Sequence, residues 1–203
     1  MTARRLWMLP TGLVLLALVP SLAGGLRLAE LSGGGPVTPG NARFFDLPLP
    51  VVAHIVGAVV YALLGAFQFV PSLRRGSWHR RAGRVLVPAG LTVALSGIWM
   101  ALAYDMPASD DGLPMTIMRV GVGGVMAFAI GYAVVAVRRR DFATHRAWMI
   151  RAYALAMGAG TQAFTHIPFA VAGVTPDDTG RFAAMAAGWA INAAVAEWAI
   201  RRS

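Results

Sequence analysis

The sequence predicts an all-α protein, a polytopic bundle of transmembrane helices, and three observations lead to that prediction. Hydrophobic residues make up 57% of the 203 residues and charged residues only 13%, whereas an ordinary soluble domain has about 25% charged residues. Six apolar stretches approach or exceed the length of about 20 residues that a helix needs to cross the hydrocarbon. The positive charge lies in alternate connections between these stretches, as in multi-pass membrane proteins.

The six predicted spans each end at glycine, proline or charged residues, which mark the ends of the apolar runs. They cover residues 6–23, 51–71, 85–104, 114–137, 148–172 and 182–200. They form a single integral membrane domain over residues 1–203. In it, residues 1–50 hold the first span and an outer loop, and residues 51–203 hold a five-helix bundle.

The first span admits a second interpretation. Arg4 and Arg5 precede a short apolar run that ends in "SLA" at residues 21–23, a pattern that also fits a secretory signal with a small-residue cleavage site. Cleavage there would leave five spans. We favour an uncleaved helix, because residues 24–50 have the composition of an irregular outer loop that leads directly into the second span.

The arginines orient the bundle, since every basic residue of the chain is an arginine. One set of ends and connections holds nearly all of them: Arg4, Arg5, Arg74, Arg75, Arg80, Arg81, Arg84, Arg138, Arg139, Arg140, Arg146, Arg151, Arg201 and Arg202. The opposite connections hold Glu30, Asp46, Asp105, Asp110, Asp111, Asp177 and Asp178. By the positive-inside rule, both termini are predicted to be cytoplasmic.

The absence of lysine, with the many Ala, Gly and Val residues, is typical of a GC-rich bacterial genome, so we predict a multi-pass protein of the bacterial cytoplasmic (inner) membrane. Its partner is then the lipid bilayer, with anionic head groups at the cytoplasmic arginine loops. The net charge of +9 is a topology signal in this interpretation. Nucleic-acid binding is not expected, because the chain has no room for a basic soluble module.

Several kinds of chemistry are excluded or unsupported. No cysteine is present, which excludes disulfides and thiolate chemistry. The stretch "GVGG" at residues 121–124 lies inside a predicted span and lacks the strand and the Lys-Ser/Thr of a phosphate loop. No serine is marked as a nucleophile by its surroundings. The sequence therefore names no catalytic residue, and whether the protein is an enzyme stays open.

The four histidines fall at two depths. His54 and His166 lie one to two turns inside the outer ends of the second and fifth spans, on inward-facing stripes of small and polar residues. His79 and His145 lie at the cytoplasmic edge, in "WHRRAGR" and "THRAWMIR". Two imidazoles from facing helices suffice as the axial ligands of a b-type haem. Two such pairs predict two haems stacked across the membrane, and hence transmembrane electron transfer.

Further polar residues complete the candidate site. The haem propionates would be held by Arg84, Arg119, Arg146 and Arg151. Polar stripes accompany the outer histidines and include Gln68, Thr161, Gln162 and Thr165. Glu197, four residues before Arg201, has the spacing of an intrahelical ion pair. Beyond haem iron no metal site is predicted, because three histidine ligands would have to come from opposite membrane sides.

Non-redox interpretations remain open beside this one. The buried histidines could serve only as interhelical hydrogen-bonding groups, each worth about 1 kcal/mol or less. The edge histidines could contact water or anionic lipid head groups. Alternatively, the polar stripes could form a pathway in a small transporter or a surface in a lipid-interacting protein.

Three stretches carry a family resemblance: "GAFQF" at residues 65–69, "HRRAGR" at 79–84 and "HRAWMIRAYAL" at 145–155. Over about residues 51–200 the chain resembles a bacterial family of predicted integral membrane proteins of unknown function. This resemblance implies a polytopic membrane protein but no activity, substrate or site. More loosely, four histidines at two levels are similar to the diheme b-type cytochromes of the ascorbate-dependent reductase kind. Those proteins use four consecutive helices with one ligand each, whereas the fourth span here has no histidine.

Overall fold

The structure, a computed structural model, describes residues 3–74, 76–105 and 112–202, with side chains from residue 6 onward. Arg75, Asp110 and Asp111 of the predicted topology lie outside the described residues. Within this part of the chain every regular element is helical, which confirms the all-α prediction. The α-helices are α1 (Ala3–Gly33), α2 (Ala42–Asp46), α3 (Pro48–Ala66), α4 (Pro71–Arg74), α5 (Ser77–Ala103), α6 (Leu113–Arg138), α7 (Phe142–Ala156), α8 (Gly158–Thr165), α9 (Ile167–Ala172) and α10 (Asp178–Arg201).

Five stretches of these helices are long and apolar enough to cross a membrane: Leu6–Gly33, Pro48–Phe69, Ser77–Ala103, Leu113–Arg138 and Asp178–Arg201. They support a multi-pass membrane protein. The first continues as a helix through the "SLA" stretch, well past the predicted end at residue 23. The count of six spans and the cytoplasmic location of both termini stay predictions.

The fifth predicted span has a different form from the expected single helix. Over residues 148–172 the chain forms most of α7 and all of α8 and α9, with breaks at Met157 and His166. Both residues at the breaks keep right-handed helical backbone angles. The chain therefore bends at these points without reversing its direction.

Two glycines beside the first bend allow neighbouring helices to approach closely. A Cβ atom added to Gly158 would overlap the indole of Trp189 on α10, and one added to Gly160 would overlap the backbone carbonyl of Leu16 on α1. Small residues at helix contacts are the usual means of close packing in membranes. The bent segment therefore holds both α1 and α10.

The core lies among α3, α5, α6 and α7. Tyr61, Ile130 and Tyr153 are almost completely buried there. Gly65 makes room for the Tyr153 ring, and Gly90 makes room for Tyr61 and Ile130, since a Cβ at either position would be too close. Outside this core, α1 packs against α3 and α8, and α10 packs against α7 and α8.

We call the end of the bundle that holds the α4–α5 and α6–α7 connections the arginine-rich end, and the other the opposite end. At the opposite end the segment before α3 is ordered by Asn41, which is 6% exposed and donates to a Glu30 carboxylate oxygen at 2.5 Å. The rings of Phe44 and Tyr104 meet edge to face with centroids 5.4 Å apart. The Tyr104 hydroxyl donates to the carbonyl of Leu47 at 2.7 Å. These contacts tie the α1–α3 connection to the end of α5.

Candidate functional site

His79 and His145 lie at the same end of the bundle, the arginine-rich end. His79 lies in the first turn of α5 and His145 in the first turn of α7, and both helices pack against α6. The two imidazoles are close enough to interact electrostatically, and Arg74 and Arg80 also act on His79. Both histidines of the predicted cytoplasmic pair thus lie at one end of the bundle, and their role as haem ligands stays a prediction.

The ring nitrogens of this pair have different surroundings. His145 Nδ1 lies 2.9 Å from the carbonyl oxygen of Ala133, an acceptor, so Nδ1 carries a hydrogen and Nε2 of the neutral ring keeps its lone pair. His79 Nδ1 is buried without a hydrogen-bond partner among the described residues. Beside it, Gln68 donates to the His79 carbonyl at 3.5 Å, and the Gln68 side-chain oxygen is also buried and unpaired in that part of the chain. Since buried polar atoms nearly always have partners, the two unpaired atoms mark this cluster as a candidate binding site.

The two outer histidines have separate partners. His54 Nδ1 lies 3.1 Å from the Val93 carbonyl and 3.0 Å from the Ser96 hydroxyl, so it joins α3 to α5. His166 lies between α8 and α9, where its Nδ1 bonds to the carbonyl of Gln162 one turn earlier at 2.7 Å. Across the described residues, no hydrogen bond, ring contact or electrostatic interaction joins His54 to His166. The described residues thus show no direct contact between the two histidines of the predicted outer pair.

A cavity of about 350 Å³ lies inside the bundle toward the opposite end. His54, Arg119 and Gln162 are the main polar groups in its wall, and the rest of the wall is mostly small, aliphatic, methionine and aromatic residues from α3, α5, α6, α7, α8 and α10. Phe44 and Tyr104 lie at its outer end. Of the two outer histidines only His54 borders this cavity, which gives it an environment that His166 does not share.

The predicted polar stripe of the fifth segment binds α10. Thr161 donates to Asn192 at 2.8 Å, and Gln162 donates to the Met185 carbonyl at 3.1 Å. Thr165 donates to a third α10 acceptor, the carbonyl of Ala184, at 2.7 Å. Bonds of this kind between transmembrane helices contribute on average about 0.6 kcal/mol each. Much of the stripe is therefore engaged in helix packing.

The arginines proposed for propionates occupy three different settings. Arg84 and Arg146 are exposed at the arginine-rich end, on the same side as the His79–His145 pair. Arg119 lines the cavity at the other end of the bundle. Only the first two are thus placed to serve a ligand at the inner histidine pair.

Arg151 has a protein partner. Its guanidinium donates to both carboxylate oxygens of Glu197, at 2.6 and 3.0 Å, and lies over the Trp148 ring at 4.7 Å. Glu197 thus bridges α10 to α7, and its ion pair is with Arg151, not with Arg201 as the i,i+4 spacing predicted. Arg201 still acts on Glu197 electrostatically.

No group of three or more His, Cys, Asp or Glu side chains could hold a metal ion in the described part of the chain.

Some functional features have no local sequence signal. The cavity was not predicted, because its wall is drawn from many helices that are distant in sequence. The stripe that contains His54, Gly57 and Tyr61 was the one available signal, since a row of small residues on an inward face predicts close packing at that level.

Comparison with known proteins gives a family but no activity. Residues 51–200 match the family described as "Predicted membrane protein (DUF2306)". No curated protein and no solved structure matches the chain. The match covers the second to the sixth predicted spans, both histidine levels and every residue of the cavity wall except Phe44. The chain belongs to this family of membrane proteins of unknown function.

Proposed function

We propose that the protein carries electrons in the membrane through a b-type haem held by His79 and His145. The observation that carries this proposal is that both histidines lie at the arginine-rich end, each in the first turn of a helix that packs against α6, and interact electrostatically. Axial ligation of haem by histidines from different helices is a common arrangement in helical bundles. The haem supplies the redox chemistry, and the chain supplies ligands, orientation and charge.

The nitrogen chemistry of the pair supports ligation. His145 donates Nδ1–H to a backbone carbonyl, which is the usual second contact of a metal-bound histidine and leaves Nε2 as the ligand atom. His79 has a buried Nδ1 without a partner among the described residues. A neutral imidazole in that state can give either nitrogen to iron.

The positive charge of the arginines at the arginine-rich end suits the negatively charged propionates of haem b. Haem b carries two propionates, and guanidinium groups bind carboxylates by charge-assisted, often bidentate, hydrogen bonds. Arg84 and Arg146 are exposed at this end, and Arg80 already acts electrostatically on His79. We assign propionate binding to this group and leave Arg151 to its ion pair with Glu197.

The experiment is an optical spectrum of the detergent-purified protein, expressed with haem supply, in the oxidised and dithionite-reduced forms. We expect a Soret band and a reduced α-band in the wild type, and loss of the α-band in His79→Ala and in His145→Ala. His166→Ala serves as the matched control and should retain the spectrum. A colourless, well-folded wild type would overturn the proposal, and loss of the α-band in His54→Ala and His166→Ala alone would move the haem to the outer histidines.

The non-redox alternative, a small transporter or a lipid-interacting protein, has weaker support. Thr161, Thr165 and the amide nitrogen of Gln162 bond to α10, so these groups hold helices together. Gln68 lies beside His79 at the other end of the bundle. His54 and Gln162, one from each stripe, line the same cavity, but Gln68 lies away from it, so the stripes support a local site better than a pathway along the bundle.

A further inference from the structure

We infer that the cavity beside His54 binds a lipid-soluble phenol or quinol, whose ring hydroxyl donates a hydrogen bond to His54. The inference is independent of haem, because the cavity and the His79–His145 pair lie toward different ends of the bundle. It rests on the size of the cavity, the hydrogen-bonding state of His54 and the chemistry of the remaining wall.

The cavity has the size and lining of a small-molecule site. Its volume is about 350 Å³, within the range of about 300–1,000 Å³ that is typical of ligand pockets. Its wall is mostly apolar, with small residues such as Ala94, Gly97 and Gly123 and flexible ones such as Met126 and Met185. A compact apolar ring fits such a chamber better than a strongly hydrated solute does.

The hydrogen bonds around His54 fix which nitrogen carries the proton. The Ser96 hydroxyl donates to the Thr92 carbonyl at 2.5 Å, so toward His54 that hydroxyl oxygen is an acceptor. The Val93 carbonyl is an acceptor as well. With two acceptors at about 3 Å, Nδ1 must be the protonated nitrogen of the neutral ring.

Nε2 of His54 is consequently a lone-pair acceptor in the wall of an apolar cavity. It takes part in no hydrogen bond among the described residues. An acceptor in such a wall is best satisfied by an O–H donor. A phenol supplies one O–H on an apolar ring, whereas a carboxylate would place a second acceptor against the first.

Arg119 gives the same cavity a donor. Its guanidinium can only donate hydrogen bonds, and it lines the cavity together with His54. The amide nitrogen of Gln162 is bonded to the Met185 carbonyl, so the side-chain oxygen is the free end of that amide. A ring with two oxygens, one a hydroxyl and one an acceptor, matches this donor and acceptor set, and a quinol has this pattern.

The test is a binding titration of the purified wild-type protein in detergent micelles with three probes: a decyl-substituted benzohydroquinone, its dimethyl ether and decanoate. We expect saturable binding of the hydroquinone and at least tenfold weaker binding of the dimethyl ether, which keeps the ring and the tail but has no O–H. Equal binding of the hydroquinone and the ether would overturn the proposal. Binding of decanoate alone would show a site for anionic amphiphiles and would overturn it as well.

His54→Asn is the decisive variant, because the asparagine amide reproduces the Nδ1–H donor toward α5 and lacks the Nε2 acceptor. It should retain the wild-type thermal stability and lose at least tenfold in hydroquinone affinity; unchanged affinity would refute the role of Nε2. Should His54→Asn fail to fold, Gly97→Leu, which fills the cavity next to His54, decides in its place. Its control is Gly121→Leu, at a position with no neighbouring atom within 4 Å, and equal binding by these two variants would refute the site.

Discussion

The close approach of α1 to α8 can be tested by adding a single methyl group. In Gly160→Ala, the new Cβ would lie 3.0 Å from the Leu16 carbonyl carbon and nearer still to its oxygen, inside the separation of about 3.5–4.0 Å that carbon atoms prefer. Because the obstacle is backbone, no side-chain rotation relieves it, and α1 must move. Overpacking of this kind costs about 1–3 kcal/mol, and the better helix propensity of alanine returns about 1 kcal/mol. We therefore expect a net destabilisation of about 0–2 kcal/mol.

The assay is unfolding of the purified protein in dodecyl maltoside micelles with a rising fraction of dodecyl sulfate, followed by circular dichroism. Gly121→Ala is the matched control, since nothing lies within 4 Å of its added methyl group, and it should be neutral or more stable by up to about 1 kcal/mol. The two variants should therefore differ by about 2 kcal/mol in their free energies of unfolding. If Gly160→Ala is as stable as Gly121→Ala, α1 does not pack against α8 as described.

Three further predictions concern individual polar groups. Tyr153→Phe removes a hydroxyl that donates across to α3 at 2.7 Å and should lower the free energy of unfolding by about 1 kcal/mol. Tyr61→Phe removes a buried hydroxyl without a described partner and should be neutral or stabilising. Equal losses of stability for the two variants in the same micelle assay would contradict this. A double-mutant cycle on Arg151 and Glu197 should give a coupling free energy of about 0.5–1 kcal/mol. The bidentate geometry strengthens the pair, and the 30% and 39% exposure of its side chains weakens it. A coupling of zero would mean that the pair does not form. A hydroxyl and a backbone N–H in the first turn of α7 bond to Asp141 and hold its pKa below the ordinary 3.8, so its contribution to stability is present above that pH and is lost as the pH falls through the lowered pKa. Helix content followed during acid titration should show this loss in the wild type and not in Asp141→Asn, and identical titrations would refute it.

The membrane helices were predictable because hydropathy and length are local properties of the chain. The second predicted span, residues 51–71, overlaps α3 and the turn after it, and the fourth, residues 114–137, lies within α6. The break at Met157 lies beside close contacts with Leu16 and Trp189, which are far away in sequence and which hydropathy does not reveal. The break at His166 comes two residues before Pro168, a local signal that an apolar run of this length hides.

The same distinction explains the histidines. The level of His79 and His145 follows from their position at the edge of arginine-rich connections, which is a local feature, and in the structure each lies in the first turn of a helix at the arginine-rich end. A helical wheel showed that His54 and His166 face inward, but it carries no information on which neighbour each one faces. His166 also lies at a break between two helices, where the periodicity of the wheel no longer applies.

The aromatic contact at the opposite end has a consequence for how the cavity would be filled. Phe44 and Tyr104 both line the cavity and meet edge to face, and the Tyr104 hydroxyl anchors that contact to the backbone of Leu47. A route into the cavity past these two rings would break both the ring contact and the hydrogen bond. The proposed phenol or quinol is lipid-soluble and is concentrated in the acyl chains, so site occupancy would depend on the partition coefficient of the compound as much as on its contacts with the wall. Two compounds with equal contacts but different solubility in lipid would then fill the site to different extents at the same total concentration.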